Sequence, residues 1–375
     1  MGHFRGVELD DLRLAGDRLL LRRWCPDDAD RVHDVMQDAS MSRFLALPDP
    51  YTRAAAIQFV TELGHEGRGD GTGLGSAVVE KGSGRVVGSA SLRLAGDPEV
   101  GYWIAPDARG KGYATEATRV LANFGFAVGL RRVRVSCDVR NLASVRAALA
   151  AGFGFEGVSR DGVTGGGGIV PPRCGDLARF ARLPDDSGHR VPHAFAPLPP
   201  RGLTDGVLTL RVMEPDDAQA LADTDDEETL RWGFTGAPHT PQETRRTALW
   251  AGLEWLVGRI ATFSMVDAAS GRVAGVLNLR QAGPPQIGGI GYVVHPEFRG
   301  RGYTARALRL LVPWAFESAD FARLELGAKT ANVPSQRAAL AAGFVPDGTR
   351  RSRLRNPDAT FSDEARFALV NPRYA

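Results

Sequence analysis

The chain has 375 residues, about twice the length of a typical globular domain, so two domains are expected. Its 43% hydrophobic and 24% charged residues give the balance of a soluble protein, and neither a bilayer-spanning run of roughly 20 apolar residues nor an export signal in residues 1–12 is present. The 46 basic and 44 acidic residues leave a net charge of +2, which excludes a chain built to coat nucleic acid. Cys25, Cys137 and Cys174 are far apart and stand in no CxxC or His cluster, which argues for a reducing cytoplasm and against a structural zinc site.

In chain order, residues 19–23 predict a short strand, and Pro26-Asp27-Asp28-Ala29 a helix start with proline and acids in its first turn. Residues 76–80, 86–94 and 99–105 read as three strands, the first two joined at a Gly-Ser-Gly turn. After a glycine loop, Ala117, Val120, Leu121, Phe124 and Val128 recur at helical spacing. Residues 132–139 are the next strand, followed by an Ala-rich helix with Gly152 as its left-handed cap. Gly165 to Gly168, then Pro171 and Pro172, form a late loop able to cover a bound acceptor. Residues 189–202 hold four prolines and read as an extended linker, so the domains are placed at 1–185 and 203–375 with the linker at 186–202.

The same unit is then written again. Arg22 and Pro26-Asp27-Asp28-Ala29 return as Arg211 and Pro215-Asp216-Asp217-Ala218, Gly101-Tyr102 as Gly291-Tyr292, and Arg109-Gly-Lys-Gly-Tyr113 as Arg299-Gly-Arg-Gly-Tyr303. Asn141 and the octapeptide RAALAAGF from Arg146 return as Asn332 and the same octapeptide from Arg337. Every match falls between 189 and 191 residues later, a period too long for a solenoid, so this is a duplicated domain. In the second copy 207–212 and 323–329 read as strands, Gly343 as a helix cap, and Pro313 as an interruption that kinks its helix.

Arg109-Gly110-Lys111-Gly112-Tyr113-Ala114 stands where a strand ends and a helix begins. Glycines there let several N–H groups converge, and the helix dipole adds positive potential suited to a diphosphate; the other reading is a plain glycine turn with solvated basic side chains. A Walker loop is excluded because Gly112, not Ser or Thr, follows Lys111, and a dinucleotide fingerprint because Thr115 holds the third glycine position.

Residues 99–106 (EVGYWIAP), 109–117 (RGKGYATEA), Asn141-x-x-Ser144 and Ala151-Gly152-Phe153 together resemble the GNAT superfamily of N-acetyltransferases, and in particular the RimJ/RimL type that acetylates protein N-termini. The resemblance covers both halves. It implies an α/β fold of two tandem domains, each a mixed, mostly antiparallel sheet with a splayed central strand pair and flanking helices. It further implies acetyl-CoA as donor, an amine as acceptor, and no metal. In the family's manner, Arg109, Gly110, Lys111, Gly112, Tyr113 and Ala114 would hold the cofactor in the first copy, and Arg299, Gly300, Arg301, Gly302, Tyr303 and Thr304 in the second. An N–H near Ile104 would meet the thioester carbonyl, Asn141 and Asn332 would contact the cofactor arm, and Ser144 would reprotonate the leaving thiolate. Asn141 and Ser144 also fit a second role, capping the helix that follows. Glu116 fits a structural hydrogen bond to the first helical turn as well as chemistry, and Tyr113 and Tyr303 fit packing.

Two departures set expectations. Val163 and Leu354 stand where RimL-like enzymes often carry a Glu able to take the proton, and Ser136 and Gly327 where other members do, so Glu99 is the best remaining candidate base in the first copy, with a salt bridge as its alternative role. The second copy has Thr304 for Ala114 and Arg306 for Glu116, which makes the first the better acetyl-CoA site and leaves the second as a weakened copy or partner surface. Asp225-Asp226-Glu227-Glu228 either draws in a cationic amine or is a solvated helix start. Two functions stay open, an amine acetyltransferase and a non-catalytic acetyl-CoA-binding scaffold. The assembly is a monomer containing an internal pseudo-dimer, or a homodimer of such chains.

Overall fold

The duplicated pattern folds into two units, Met1–Pro192 and His193–Ala375. A computed structural model describes residues 3–94, 96–162, 175–191, 195–234 and 236–374. Val163, the glycine and proline loop at 165–172, and Cys174 lie outside the described residues.

The first unit runs β1 (His3–Phe4), β2 (Val7–Glu8), β3 (Leu14–Ala15), β4 (Leu19–Arg22), α1 (Ala29–Met36), α2 (Ala39–Ser42), α3 (Arg53–Thr61), β5 (Gly73–Glu80), β6 (Val86–Arg93), β7 (Glu99–Ile104), α4 (Tyr113–Ala127), β8 (Val133–Asp138), α5 (Leu142–Ala150), β9 (Gly154–Ser159) and β10 (Leu177–Arg182). Beside a two-stranded β1–β2 ribbon, its sheet has the order β3-β4-β5-β6-β7-β8-β10-β9, antiparallel throughout except that β7 and β8 are parallel.

The second unit runs β11 (Leu203–Thr204), β12 (Leu208–Val212), α6 (Ala218–Ala222), α7 (Glu227–Trp232), α8 (Pro241–Leu256), β13 (Ile260–Asp267), β14 (Val273–Gln281), β15 (Ile287–Val294), α9 (Tyr303–Glu317), β16 (Arg323–Lys329), α10 (Val333–Ala341), β17 (Val345–Arg355) and β18 (Phe361–Val370). Its sheet repeats the order as β11-β12-β13-β14-β15-β16-β18-β17, with β15 and β16 the parallel pair. The expected mixed, mostly antiparallel sheet is therefore present in both units.

Apolar alternation explains the layers. In the second unit Leu277, Leu279, Leu324, Leu326 and Phe367 pack with Leu311, Trp314 and Phe344 on the α9/α10 face, while Val276 packs with Leu221, Ala248 and Ala251 on the α6/α8 face. Phe195, inside the Pro-rich stretch, is fully buried in the first of these clusters, its ring 5.7 Å from Trp255 and 6.3 Å from Phe321. The interruption expected at Pro313 does not end the helix: α9 continues through it to Glu317. Burial of Trp314, Ala315 and Phe316, at up to about 3 kcal/mol for each large side chain, outweighs the roughly 3 kcal/mol that an interior proline costs. Gly152 and Gly343 take the left-handed conformation (φ 88° and 90°) and close α5 and α10 as expected.

The repeated Arg…Pro-Asp-Asp pattern is a part-buried ion pair as well as a helix start. Arg22 clasps Asp28 through two bonds of 2.8 and 2.9 Å, and Arg211 clasps Asp217 through two of 2.7 Å. The Cys25 and Glu214 amides, each 2.9 Å away, hold the same carboxylates and lock β4 and β12 to the helices that follow. Among the described residues no helix is long and apolar enough to cross a membrane.

Candidate active site

The parallel pair in each unit opens into a V. In the first unit the β7/β8 ladder is one pair, Glu99 with Arg134, with the Arg134 amide donating to the Pro98 carbonyl at 2.8 Å. The Ala105 amide donates to Val87 on β6 at 2.9 Å, so by antiparallel alternation the peptide groups of Tyr102 and Ile104 point away from β6, into the opening. In the second unit the ladder runs from Ile287–Arg323 to Ile290–Leu326 and then stops. The His295 amide donates to Ala274 at 2.8 Å, so Tyr292 and Val294 face that opening in the same way.

The glycine turn lies at the mouth of each V. Gly110 and Gly112 have φ of 77°, and Gly300 and Gly302 have 74° and 73°, a conformation that bends the chain twice before α4 or α9 begins at Tyr113 or Tyr303. A Cβ added at Gly110, Gly300 or Gly302 would meet nothing within 4 Å, so the surface is open there. The first-turn amides of both helices converge on it, with Lys111 and Arg301 exposed beside them. Both turns thus match the chemistry of a diphosphate, and Thr304 leaves the second one intact in backbone geometry.

The arginine side chains at the start of the turns do something else. Arg109 donates to the Ile104 carbonyl at 3.2 Å, to Ser40 Oγ at 2.7 Å and to Met41 Sδ at 3.0 Å, tying α2 to the end of β7. Arg299 clasps Asp226 at 2.6 and 2.8 Å and bonds Glu228 at 3.0 Å and Thr229 at 2.8 Å. Asp226 also caps α7, and Arg299 followed by that cap holds its carboxyl well below the usual range. Asp225 accepts from the His239 amide at 2.7 Å and faces its ring. Three of the four acids at 225–228 are therefore engaged within the fold, and their role as a lure for a cationic amine is set aside.

Glu116 is a brace between elements. Its carboxylate accepts from the Arg18 and Leu19 amides at 2.7 and 3.0 Å and from Arg18 Nε at 2.9 Å, joining α4 to β4 instead of bonding its own first turn. Where Arg306 replaces it, Asp205 stands six residues before Arg211 as Gly16 does before Arg22, and the two form an ion pair. The departure at Arg306 is thus compensated by an exchange of partners. Tyr113 and Tyr303 are buried and donate to Glu80 and, at 2.5 Å, to Asp267, which makes them anchors for the turn.

Asn141 and Asn332 cap α5 and α10, each accepting from the amide of Ser144 or Ser335 at 3.2 Å. Glu99 lies at the closed end of the V, 3.3 Å from Arg93 and 3.8 Å from Arg134. It is three residues, roughly 10 Å along a strand, from Tyr102, whereas direct proton transfer works near 3 Å. Leu354 is buried on β17.

Tyr102 and Tyr292 do not stand out in the sequence as functional groups. The Tyr102 hydroxyl donates to the Ser144 carbonyl at 3.4 Å, and the Tyr292 hydroxyl lies 2.8 Å from Ser335 Oγ. Burial pushes both phenols above their ordinary value, so each keeps its proton at neutral pH. The recurrence of Gly-Tyr in both copies was the available signal. Among the described residues no group of three or more His, Cys, Asp or Glu is placed to hold a metal ion.

The acetyltransferase (GNAT) domain model matches residues 18–154 and again 207–345. The chain is similar to the uncharacterized N-acetyltransferase p20 of Bacillus licheniformis, 26% identical over 154 residues that cover 39% of this chain and 84% of that protein. It is also similar to the putative ribosomal N-acetyltransferase YdaF of Bacillus subtilis, 28% identical over 153 residues, 39% of this chain and 82% of that one. Among solved structures, RimJ of Mycobacterium smegmatis in complex with CoA-disulfide is matched with a TM-score of 0.40 and 23% identity, covering 46% of this chain and 85% of that one. With its domain model matched twice and over most of the length, the chain belongs to the GNAT family of acetyltransferases and carries that domain in tandem.

Proposed function

We propose that the chain transfers the acetyl group of acetyl-CoA to a primary amine, either a protein or peptide N-terminus or a small amine, by direct attack without an acyl-enzyme. The observation that carries this is the opening of the parallel strand pair in each unit, with peptide groups of β7 and β15 facing it outside the ladder and a glycine turn at its mouth. The diphosphate would rest on the amides at 110–114 and 300–304, beside Lys111 and Arg301. The arm would run down the V as a pseudo-strand past Ile104 or Val294, bringing the thioester carbonyl to the Tyr102 or Tyr292 amide. One such donor aimed at the developing oxyanion is worth on the order of 10²- to 10³-fold in rate. The leaving thiolate would take its proton from the Tyr102–Ser144 or Tyr292–Ser335 group. The name of YdaF supports a protein N-terminus among the acceptors.

A scaffold that binds acetyl-CoA without turnover is favoured by one observation, the pairing of Glu99 with two arginines. Release of thiol from acetyl-CoA, followed across peptides with serine, alanine or methionine N-termini, spermidine and an aminoglycoside, separates the two. Acceptor-dependent release supports transfer; silence across the panel with intact cofactor binding supports the scaffold. Tyr292→Phe combined with Ser335→Ala should lower turnover in the second unit by on the order of 10- to 100-fold with little change in acetyl-CoA affinity, read by steady-state thiol release and calorimetry.

A further inference from the structure

Resting on the transferase reading, we propose that Glu364 is the group that takes the proton from the attacking amine in the second unit. The sequence places no carboxylate on β16 ahead of Asn332, because Gly327 stands there. The fold supplies one from the neighbouring strand. On β18, Ala365, Phe367 and Leu369 face the α9/α10 core, so Glu364 and Arg366 face the other side of the sheet. A methyl group added at Gly327 would overlap the Glu364 carboxylate, so that carboxylate lies directly over Gly327.

Gly327 is the first residue of β16 past the last ladder pair, Ile290 with Leu326, and Gly291 is its counterpart on β15. Two glycines therefore flank the vertex of the V, and no side chain of either strand fills it. The face they share is the acceptor-side face: Lys329, two residues on, donates from Nζ to the Arg231 carbonyl of α7 at 2.7 Å, and Val293 packs against α6 and α8. The Tyr292 amide is one residue, roughly 3.4 Å along the strand, from Gly291. An amine entering between α7 and the sheet thus meets the carboxylate at the level of the thioester carbonyl.

Glu364 is 7% exposed, and its Oε2 is buried without a hydrogen-bond partner; Arg350 Nη1 is 4.0 Å away. The other charges around it are committed elsewhere, Lys329 to Arg231 and Arg366 to Glu325. A buried carboxylate oxygen left open is costly unless something fills it, and an ammonium group from the acceptor does so. In the reaction the carboxylate takes one proton from the bound ammonium, the freed amine forms the C–N bond, and the C–S bond breaks. The thiolate is reprotonated from Tyr292, the nitrogen's second proton returns to Tyr292, and solvent takes the proton held by Glu364. Among the described residues the first unit shows no such device: Ser136 occupies the place of Gly327, and Arg179 Nη1 lies 3.4 Å from its Oγ.

The test uses the full chain carrying Gly112→Glu, so that only the second glycine turn is intact, and compares it with the same chain also carrying Glu364→Gln. The acceptors are the fastest amine of the panel above and hydroxylamine, whose nitrogen is already unprotonated at neutral pH. Glu364→Gln should lower turnover with the panel amine by on the order of 100-fold, lower it far less with hydroxylamine, and leave acetyl-CoA affinity within about twofold. Gly327→Ala, which displaces the carboxylate while retaining it, should reproduce the loss, and thermal melts should show both variants folded. Unchanged turnover in Glu364→Gln, or an equal loss with both acceptors, overturns the assignment. An inactive Gly112→Glu parent beside an active wild type also overturns it but leaves the transferase reading standing; an inactive wild type removes both.

Discussion

Calorimetry of the wild-type chain should find two acetyl-CoA molecules bound, and Gly112→Glu should remove the tighter one. Two effects add at that residue. A Cβ at φ 77° costs on the order of 1–2 kcal/mol, and the new carboxylate would stand where the turn gathers its N–H groups around a diphosphate. Together they weaken that site by on the order of 100-fold or more. Gly302→Glu should remove the other site in the same way. The order of affinity follows from one residue: Ala114 lets the diphosphate reach the first-turn backbone, whereas Thr304 brings a branched side chain to that point. Two sites of undiminished strength in Gly112→Glu would show that the turn is not the grip.

The second large effect is on stability. Asp217→Ala should destabilise the second unit by about 3 kcal/mol, because it leaves Arg211 facing a part-buried space and frees the Glu214 amide and Ser264 hydroxyl that the carboxylate now accepts from. Burial alone would raise the Asp217 pKa, but Arg211, the Glu214 amide and Ser264 outweigh it and hold it below the usual carboxylate value. A depressed folded-state value means the contribution is complete above the unfolded-chain value of about 4 and is lost as pH falls through the lower, folded one. Urea unfolding followed by tryptophan fluorescence should show that acid slope in the wild type. In the variant both the midpoint and that part of the slope should be reduced.

Much of the architecture was legible because the chain states it twice. Arg…Pro-Asp-Asp-Ala, the glycine turn and the Asn-x-x-Ser helix start each mark a junction between elements, and junctions depend on local backbone demands that a short motif can express. The register across the sheet is another matter. The hairpin of β17 and β18 is exposed along most of β17 and carries little apolar alternation, so nothing local announces it. Glu364 was invisible for the same reason: its position over Gly327 exists only once β18 is paired to β16. Arg306 read as a loss because its partner, Asp205, lies 101 residues away. Pro313 reads as an interruption from local propensity alone, whereas the aromatic core around Trp314 and Phe316 holds the last turn of α9 beyond it. Arg109 and Arg299 stand out in the motif, yet their side chains bind α2 and the start of α7, and only their backbone belongs to the turn.

A crystal structure of the chain grown with acetyl-CoA tests the central claim most directly. The diphosphate should lie on the amides at 110–114 and 300–304, with the arm between β7 and β8 and between β15 and β16. The thioester carbonyl should rest against the Tyr102 and Tyr292 amides. Strands joined by continuous ladder bonds through those openings, or coenzyme bound away from them, would contradict it.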